Sequence, residues 1–233
     1  MDLDRRRPLG ATALLIDFGG TLDADGEPWV DRFFRLYSQG GGVVDRNQFR
    51  LAFAKSDEDL AALPGVAGMN YSATVDAQTS LLAAVLPDGE CLADPSVRDR
   101  FIGDAMVVAA RNREVLVDLS AAYGLAVVSN YQGNLQPCLD ELGMGNLFDV
   151  VSDSDVVGAR KPDRRIFDVT LAALERDAAH CWMIGDSPPN DIAAAAALGM
   201  KTCWMAPVGR SAVGITPTAR VARFDQVPFV LAG

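Results

Sequence analysis

The sequence predicts an α/β fold: a doubly wound, parallel, Rossmann-like sheet with an α-helical cap inserted after its first strand. Three observations carry this. Short apolar runs recur, and each ends in polar or glycine-rich residues; segments of helical spacing lie between the later runs; and one long helical stretch breaks that alternation early in the chain. The first run is Ala13-Leu14-Leu15-Ile16. Helices follow at about 28–38, 46–62, 71–86 and 95–110, separated by turn signals at Gly40-Gly41-Gly42, Pro64-Gly65 and Pro87-Asp88-Gly89. The alternation then resumes with Leu125-Ala126-Val127-Val128, a helix at about 134–143, Phe148-Asp149-Val150-Val151, and a helix at about 163–175. Cys181-Trp182-Met183-Ile184, a helix at about 188–198 and Thr202-Cys203-Trp204-Met205 complete it, and Thr216-Pro217-Thr218 opens a final strand-like stretch. The expected division is a core of residues 1–24 and 111–233 and a cap of residues 25–110.

Composition narrows the function. The chain has 233 residues, 49% of them apolar, which is a globular composition. Its 31 acidic and 21 basic residues give a formal charge of −10, a poor match to nucleic acid or an anionic membrane. The single histidine, His180, excludes zinc sites built from several histidines and leaves carboxylates as the expected catalytic groups. Cys91, Cys138, Cys181 and Cys203 contain no C-x-x-C pair and read as free thiols of a reducing compartment. Arg5-Arg6-Arg7 precedes an apolar run that ends at Asp17, too short for a signal segment, and no stretch is long enough to span a membrane. The expectation is a cytoplasmic monomer or homodimer.

In a parallel sheet the reactive groups gather at the carboxyl ends of the strands. Four patterns stand there in order. Asp17-Phe18-Gly19-Gly20-Thr21 places a carboxylate before two glycines whose backbone N–H groups can meet an anion. Ser129-Asn130 places a hydroxyl and an amide after the second core run. Lys161-Pro162-Asp163 places a cation just before a helix, with Pro162 expected in its first turn. Gly185-Asp186-Ser187-Pro188-Pro189-Asn190-Asp191 places two carboxylates five positions apart.

These four patterns, together and in this order, resemble the haloacid-dehalogenase-like hydrolase superfamily, over nearly the whole chain. The run from Lys161-Pro162 through Ile166-Phe167, Gly185-Asp186-Ser187, Asp191-Ile192 and Gly199-Met200 resembles its phosphatase branch. The Asp186–Asp191 spacing followed by Gly214-Ile215-Thr216-Pro217-Thr218 is similar to members acting on nucleoside monophosphates and sugar phosphates. The resemblance implies that Asp17 attacks phosphorus and that Mg²⁺ is held by Asp17, the carbonyl of Gly19 and Asp186, with Asp191 as a direct or supporting partner. It further implies that Ser129, Asn130 and the amide of Gly20 bind a small phosphorylated metabolite, while Lys161 neutralises charge on the phosphoryl group and on Asp17.

One position departs from the family. Phosphatases of this kind usually carry a second Asp two residues after the nucleophile, as general acid and base, and here that residue is Gly19. Asp23 and Asp25 are the nearest carboxylates, expected as solvated turn residues beside Gly26. Lys55, the one lysine of the expected cap, is a possible Schiff-base residue for C–P cleavage, but is expected to pair with Asp59 on a solvated helix face. The readings left open are a phosphatase of modest rate, a low-turnover phospho-ligand binder, and a C–P or C–halogen hydrolase. His180 is expected at a surface or edge and Arg164-Arg165 on a solvated face. Trp29, Phe33 and Phe34 are expected either to pack the cap helices or to shape their inner face.

Overall fold

The computed structural model describes residues 12–211 and 214–232; Arg5–Arg7 lie outside them. Six parallel strands form one sheet in the order β3-β2-β1-β4-β5-β6: β1 Ala13–Ile16, β2 Gly124–Ser129, β3 Val150–Asp153, β4 Cys181–Gly185, β5 Lys201–Met205 and β6 Ala219–Val221. β1 is fully buried between β2 and β4, with Ile16 opposite Val127 on one side and Ile184 on the other. The chain builds outward from β1 to β3 and then returns to β4 on the other side. That reversal opens a crevice at the strand ends, where ligands bind in sheets of this kind.

Alternation along the strands assigns two cores. Leu14, Ile16, Leu125, Val127, Trp182 and Ile184 face one side, with Leu116, Leu119, Leu135, Leu139, Phe224 and Val227. Ala13, Leu15, Ala126, Val128, Cys181 and Met183 face the other, against Ile166, Phe167, Leu171 and Ala195. Helices therefore cover both faces. α5 (Leu135–Glu141) and α9 (Val227–Leu231) lie on the first, and α7 (Arg164–Leu174) and α8 (Ala194–Ala197) on the second. The short α6 (Ser154–Val157) follows β3.

Between β1 and β2 lie α1 (Trp29–Gln39), α2 (Arg46–Ala61), α3 (Tyr71–Val85) and α4 (Pro95–Ala122). Asp45, Asn70 and Asp94 cap α2, α3 and α4 through side-chain bonds to the first free N–H groups, and Pro95 starts α4 without wasting a donor. α4 does not end near 110. Ala105, Ala109, Leu116 and Leu119 keep one face buried through the point where the sequence reading ends the helix, so the turn continues to Ala122. The first core accordingly runs without a break from the sheet into Phe33, Tyr37, Phe49, Tyr71 and Phe101 of the insertion.

Other differences are local. β3 is Val150–Asp153 rather than a run starting at Phe148, because its pairing with β2 begins at Val150 opposite Ala126. α7 begins at Arg164, since Asp163 caps it by accepting from Arg165 N; Pro162 therefore precedes the helix instead of sitting in its first turn. Arg164 pairs with Asp168 and Arg165 with Asp163 at the surface, and His180 is exposed just before β4, as expected. The four cysteines are free, three of them buried. Among the described residues no helix is long and apolar enough to cross a membrane.

Candidate active site

Three buried carboxylates converge at the crevice. Asp17 follows β1, with its backbone N–H donating to Ile184 O at 2.9 Å; Asp186 follows β4; Asp191 lies one helical turn further on. A carboxylate oxygen from each lies within 4.8 Å of the others. One cation faces them. Lys161 Nζ donates to Asp17 Oδ1 at 2.6 Å, to Asp191 Oδ1 at 2.7 Å and to the Val128 carbonyl at 2.8 Å. Ser129 Oγ donates to the same Asp17 Oδ1 at 3.0 Å. Thr21 Oγ1 stands 3.4 Å from Asp17 Oδ2 and from Asp186 Oδ1.

The glycines make this convergence possible. Gly20 has φ +87°, and a Cβ there would lie 2.9 Å from Asp186 Oδ2 and 3.1 Å from Pro28 Cα. A Cβ on Gly185 would run into the Asp191 carboxylate. Asp191 uses both oxygens, one for Lys161 and the other for Ser187 N at 2.9 Å.

The charges are unequal. Burial lowers the Lys161 ammonium's pKa, but Asp17 and Asp191 outweigh burial and hold it above its ordinary value. Burial, then the neighbouring Asp17 and Asp191, push the Asp186 carboxyl well above the usual carboxylate range; Lys161 and Arg210 offset only part of this. Burial likewise raises Asp191. Three hard oxygen ligands with one ammonium between them form a donor set that fits Mg²⁺, whose charge would relieve the surplus.

Asn130 and Gly20 are otherwise engaged than the sequence suggests. Asn130 Oδ1 accepts from Lys161 N at 2.7 Å and its Nδ2 donates to Lys161 O at 2.9 Å, so this amide clamps the lysine's backbone. Gly20 N donates to Asp23 Oδ1 at 2.7 Å. Asp23 is not a solvated turn residue: it is fully buried, and its Oδ2 accepts from Trp29 Nε1 at 2.7 Å, Tyr71 Oη at 2.7 Å and Arg32 at 3.0 Å. Asp25 is also taken, by Arg111 and by Phe224 N. Lys55 pairs with Asp59 on an exposed face, as expected, and does not line the cavity.

A cavity of about 550 Å³ opens over the cluster, lined by Asp17, Gly19, Ser129, Lys161, Asp186 and Asp191 on the sheet side. Its far wall comes from the insertion. Trp29 stands over Gly19, its Nε1 3.5 Å from where a Cβ would be, whereas Phe33 stacks on Phe101 in the interior and Phe34 packs on Phe49. α2 contributes Arg46, Arg50, Phe53 and Asp57, spaced four, three and four residues apart along one helix face. The sequence shows an apolar stripe containing Phe53 here, but not that the polar residues beside it share a cavity with the buried carboxylates. Their i, i+4 spacing is the signal, and it becomes informative only once the helix is oriented.

Comparison with known proteins agrees with this geometry. The haloacid dehalogenase-like hydrolase family model matches residues 11–199. The pyrimidine 5′-nucleotidase YjjG of Escherichia coli is 31% identical over 110 residues, 46% of this chain and 49% of that protein. A phosphoglycolate phosphatase of Mesorhizobium japonicum is 30% identical over 114 residues, 48% of this chain and 50% of that one. The chain thus spans about half the length of these curated relatives. The HAD-hydrolase YfnB of Bacillus subtilis, solved bound to magnesium, shares the fold with a TM-score of 0.59 and 21% identity over 95% of this chain and 98% of that one. With the family matched over most of its length, and the sheet order and strand-end carboxylates in place, the chain belongs to the haloacid dehalogenase-like hydrolases.

Proposed function

We propose that this chain is a Mg²⁺-dependent phosphatase acting on a small phosphorylated metabolite, with Asp17 as the attacking carboxylate. The observation that carries this reading is the environment of Asp17. Lys161 and Ser129 hold Oδ1, while among the described residues Oδ2 meets only Thr21, at 3.4 Å. Asp17, Asp186 and the Gly19 carbonyl would hold the metal, with Asp191 beside it, and the bound ion would supply positive charge against the phosphoryl oxygens and Asp17.

Asp17 attacks phosphorus, forming a new O–P bond as the ester O–P bond breaks and the leaving oxygen takes a proton from solvent water. Water then cleaves the acyl phosphate, releasing phosphate and restoring Asp17. Lys161 and Ser129 turn from Asp17 towards the phosphoryl oxygens as charge moves there. Asn130 keeps Lys161 aimed by holding that residue's backbone N–H and carbonyl. The helical insertion, residues 25–110, acts as a cap that excludes water and meets the rest of the substrate. The relatives that are a nucleotidase and a phosphoglycolate phosphatase support a small phosphorylated substrate. The free thiols fit the reducing conditions of a cytoplasm.

Gly19 leaves the leaving oxygen without the usual proton donor, a loss of about 10²–10⁴-fold for an unactivated ester. Asp23 and Asp25 do not replace it, because their oxygens already serve other donors. This favours a second reading, a phospho-ligand binder with little turnover. The deciding test compares wild type with Gly19→Asp on an aryl and an alkyl phosphate, with and without Mg²⁺. A Cβ at Gly19 meets Trp29 only at ordinary contact distance, so the variant has room. The expected result is Mg²⁺-dependent aryl turnover by wild type and a gain in the variant that is largest for the alkyl ester. No turnover of either ester by either protein would favour the binder. Metal-independent halide release from a 2-haloacid would overturn both.

A further inference from the structure

We propose that Arg50 and Arg160 form a subsite for a second anionic group on the substrate, so that the preferred ligand is a phosphate monoester that also carries a carboxylate or a second phosphate. This rests on the phosphatase reading for the identity of the first group, and on the cavity wall for the second.

The cavity, at about 550 Å³, is of metabolite size and leaves room beyond a phosphoryl group at Asp17. Four guanidiniums line it beyond the inner cluster: Arg46 and Arg50 from α2, Arg160 just before Lys161, and Arg210 from the segment after β5. Only two carboxylates, Asp31 and Asp57, share that outer wall. Arginines from three separate parts of a chain with a charge of −10 thus meet at one opening.

Two of the four are occupied. Arg46 pairs with Asp31 at 2.6 Å, and Arg210 donates to the Gly26 carbonyl at 3.1 Å. The guanidiniums of Arg50 and Arg160 make no hydrogen bond or ion pair among the described residues. Asp57 feels the charge of Arg160 without a hydrogen bond to it and spends Oδ1 on Gln132 Nε2 at 2.8 Å. The backbone that carries Arg160 is fixed, because the next residue is clamped by Asn130. Arg50 is fixed in height by α2, one turn from Arg46. Guanidinium forks suit carboxylate and phosphate oxygens, and a neutral leaving group would leave both forks with water alone. Phe53 and Trp29, which line the same cavity, would give the connecting carbon skeleton an apolar surface.

Three unhydrolysable ligands on one three-carbon skeleton test this by calorimetry on the full, Mg²⁺-loaded protein: propylphosphonate, 3-phosphonopropionate and propane-1,3-diphosphonate. Charge-assisted contacts of this kind are worth about tenfold or more in affinity, so at least one doubly anionic ligand should bind that much more tightly than propylphosphonate. The tighter of the two identifies the second group as carboxylate or phosphate. In the double variant Arg50→Gln/Arg160→Gln the preference should vanish, with the doubly anionic ligands binding no more tightly than propylphosphonate does to that same variant. Arg98→Gln/Arg113→Gln, which removes the same charge away from the cavity, should keep the preference. Equal binding of all three ligands by wild type would overturn the proposal. So would a preference that survives the first double variant or is lost equally in the second. The phosphatase reading fails separately, through absence of Mg²⁺-dependent aryl phosphate turnover, and the phosphonate affinities report on the subsite whether or not turnover occurs.

Discussion

Asp17 and Asp23 stand six residues apart on one turn, both buried, in opposite electrostatic situations. Around Asp23 everything is matched: one carboxylate, one guanidinium, and donors from Gly20, Trp29 and Tyr71. Arg32 in turn donates to the Phe101 carbonyl at 2.8 Å and lies over the Phe101 ring. Around Asp17 three carboxylates share one ammonium. A buried network that satisfies itself holds elements together. One left with surplus charge holds a place for something charged that arrives later. The two clusters therefore divide the turn after β1 between the proposed chemistry and architecture, the second tying that turn to α1, α3 and α4.

The sharpest way to break this division is to neutralise each side. Asp17→Asn should abolish aryl phosphate turnover, by about 10³-fold or more, since no other carboxylate can take the nucleophile's place. Its thermal midpoint should hold or rise, because an unbalanced charge is removed. Steady-state kinetics and a melting curve on the same preparation check both. Arg32→Met should do the reverse. Leaving Asp23 buried without its cation should cost about 3–5 kcal/mol in urea unfolding. Any folded fraction should keep Asp17, Lys161 and Ser129 in place and retain turnover. Equal damage to stability from both variants would erase the contrast.

The sequence makes one of these clusters far more legible than the other. Asp17, Ser129 and Asp186 end or directly follow apolar strand runs, which parallel topology brings together, while Lys161 stands just before α7 and Asp191 in the helical turn after β4. Asp23, by contrast, sits among Ala24, Asp25 and Gly26, the composition of an exposed turn. Its partners lie 6, 9 and 48 residues away, so burial comes from tertiary contacts that no local pattern announces. The same holds for α4, whose buried stripe continues across the expected boundary because both halves pack on one core. It holds again for Arg50 and Asp57, which are ordinary helix-surface residues until α2 is laid across the crevice.

A smaller effect is expected from the metal. Asp186→Asn should weaken Mg²⁺ binding and stabilise the metal-free fold, since the wild-type carboxyl is held unfavourably by burial and by Asp17 and Asp191. For wild type, Mg²⁺ at 100 times its Kd should add about 2.7 kcal/mol, and that gain should be much reduced in the variant. Scanning calorimetry with Mg²⁺ and with a chelator measures the difference. A full Mg²⁺-dependent rise in Asp186→Asn would remove this residue from the metal site.

Asp57 lies between the two extremes and should show the smallest effect. It is only partly enclosed, and it accepts one hydrogen bond, from Gln132 at 2.8 Å. Burial raises its pKa, and the offsetting pull of Arg160 and of that hydrogen bond is incomplete. The folded pKa thus lies above the ordinary 3.8 of the unfolded chain. For an acid shifted in this direction, the stabilising contribution is complete below the unfolded value and is lost as pH rises through the folded one. Asp57→Asn keeps an acceptor for Gln132 and removes the charge. It should therefore raise the thermal midpoint at pH 7, by at most about 2–4 °C, and leave it unchanged near pH 3, where the wild-type carboxyl is already neutral in both states. A destabilised variant at pH 7 would show that Asp57 is balanced by Arg160 and belongs with the satisfied network. That result would also remove Arg160 from the cations free to meet a substrate.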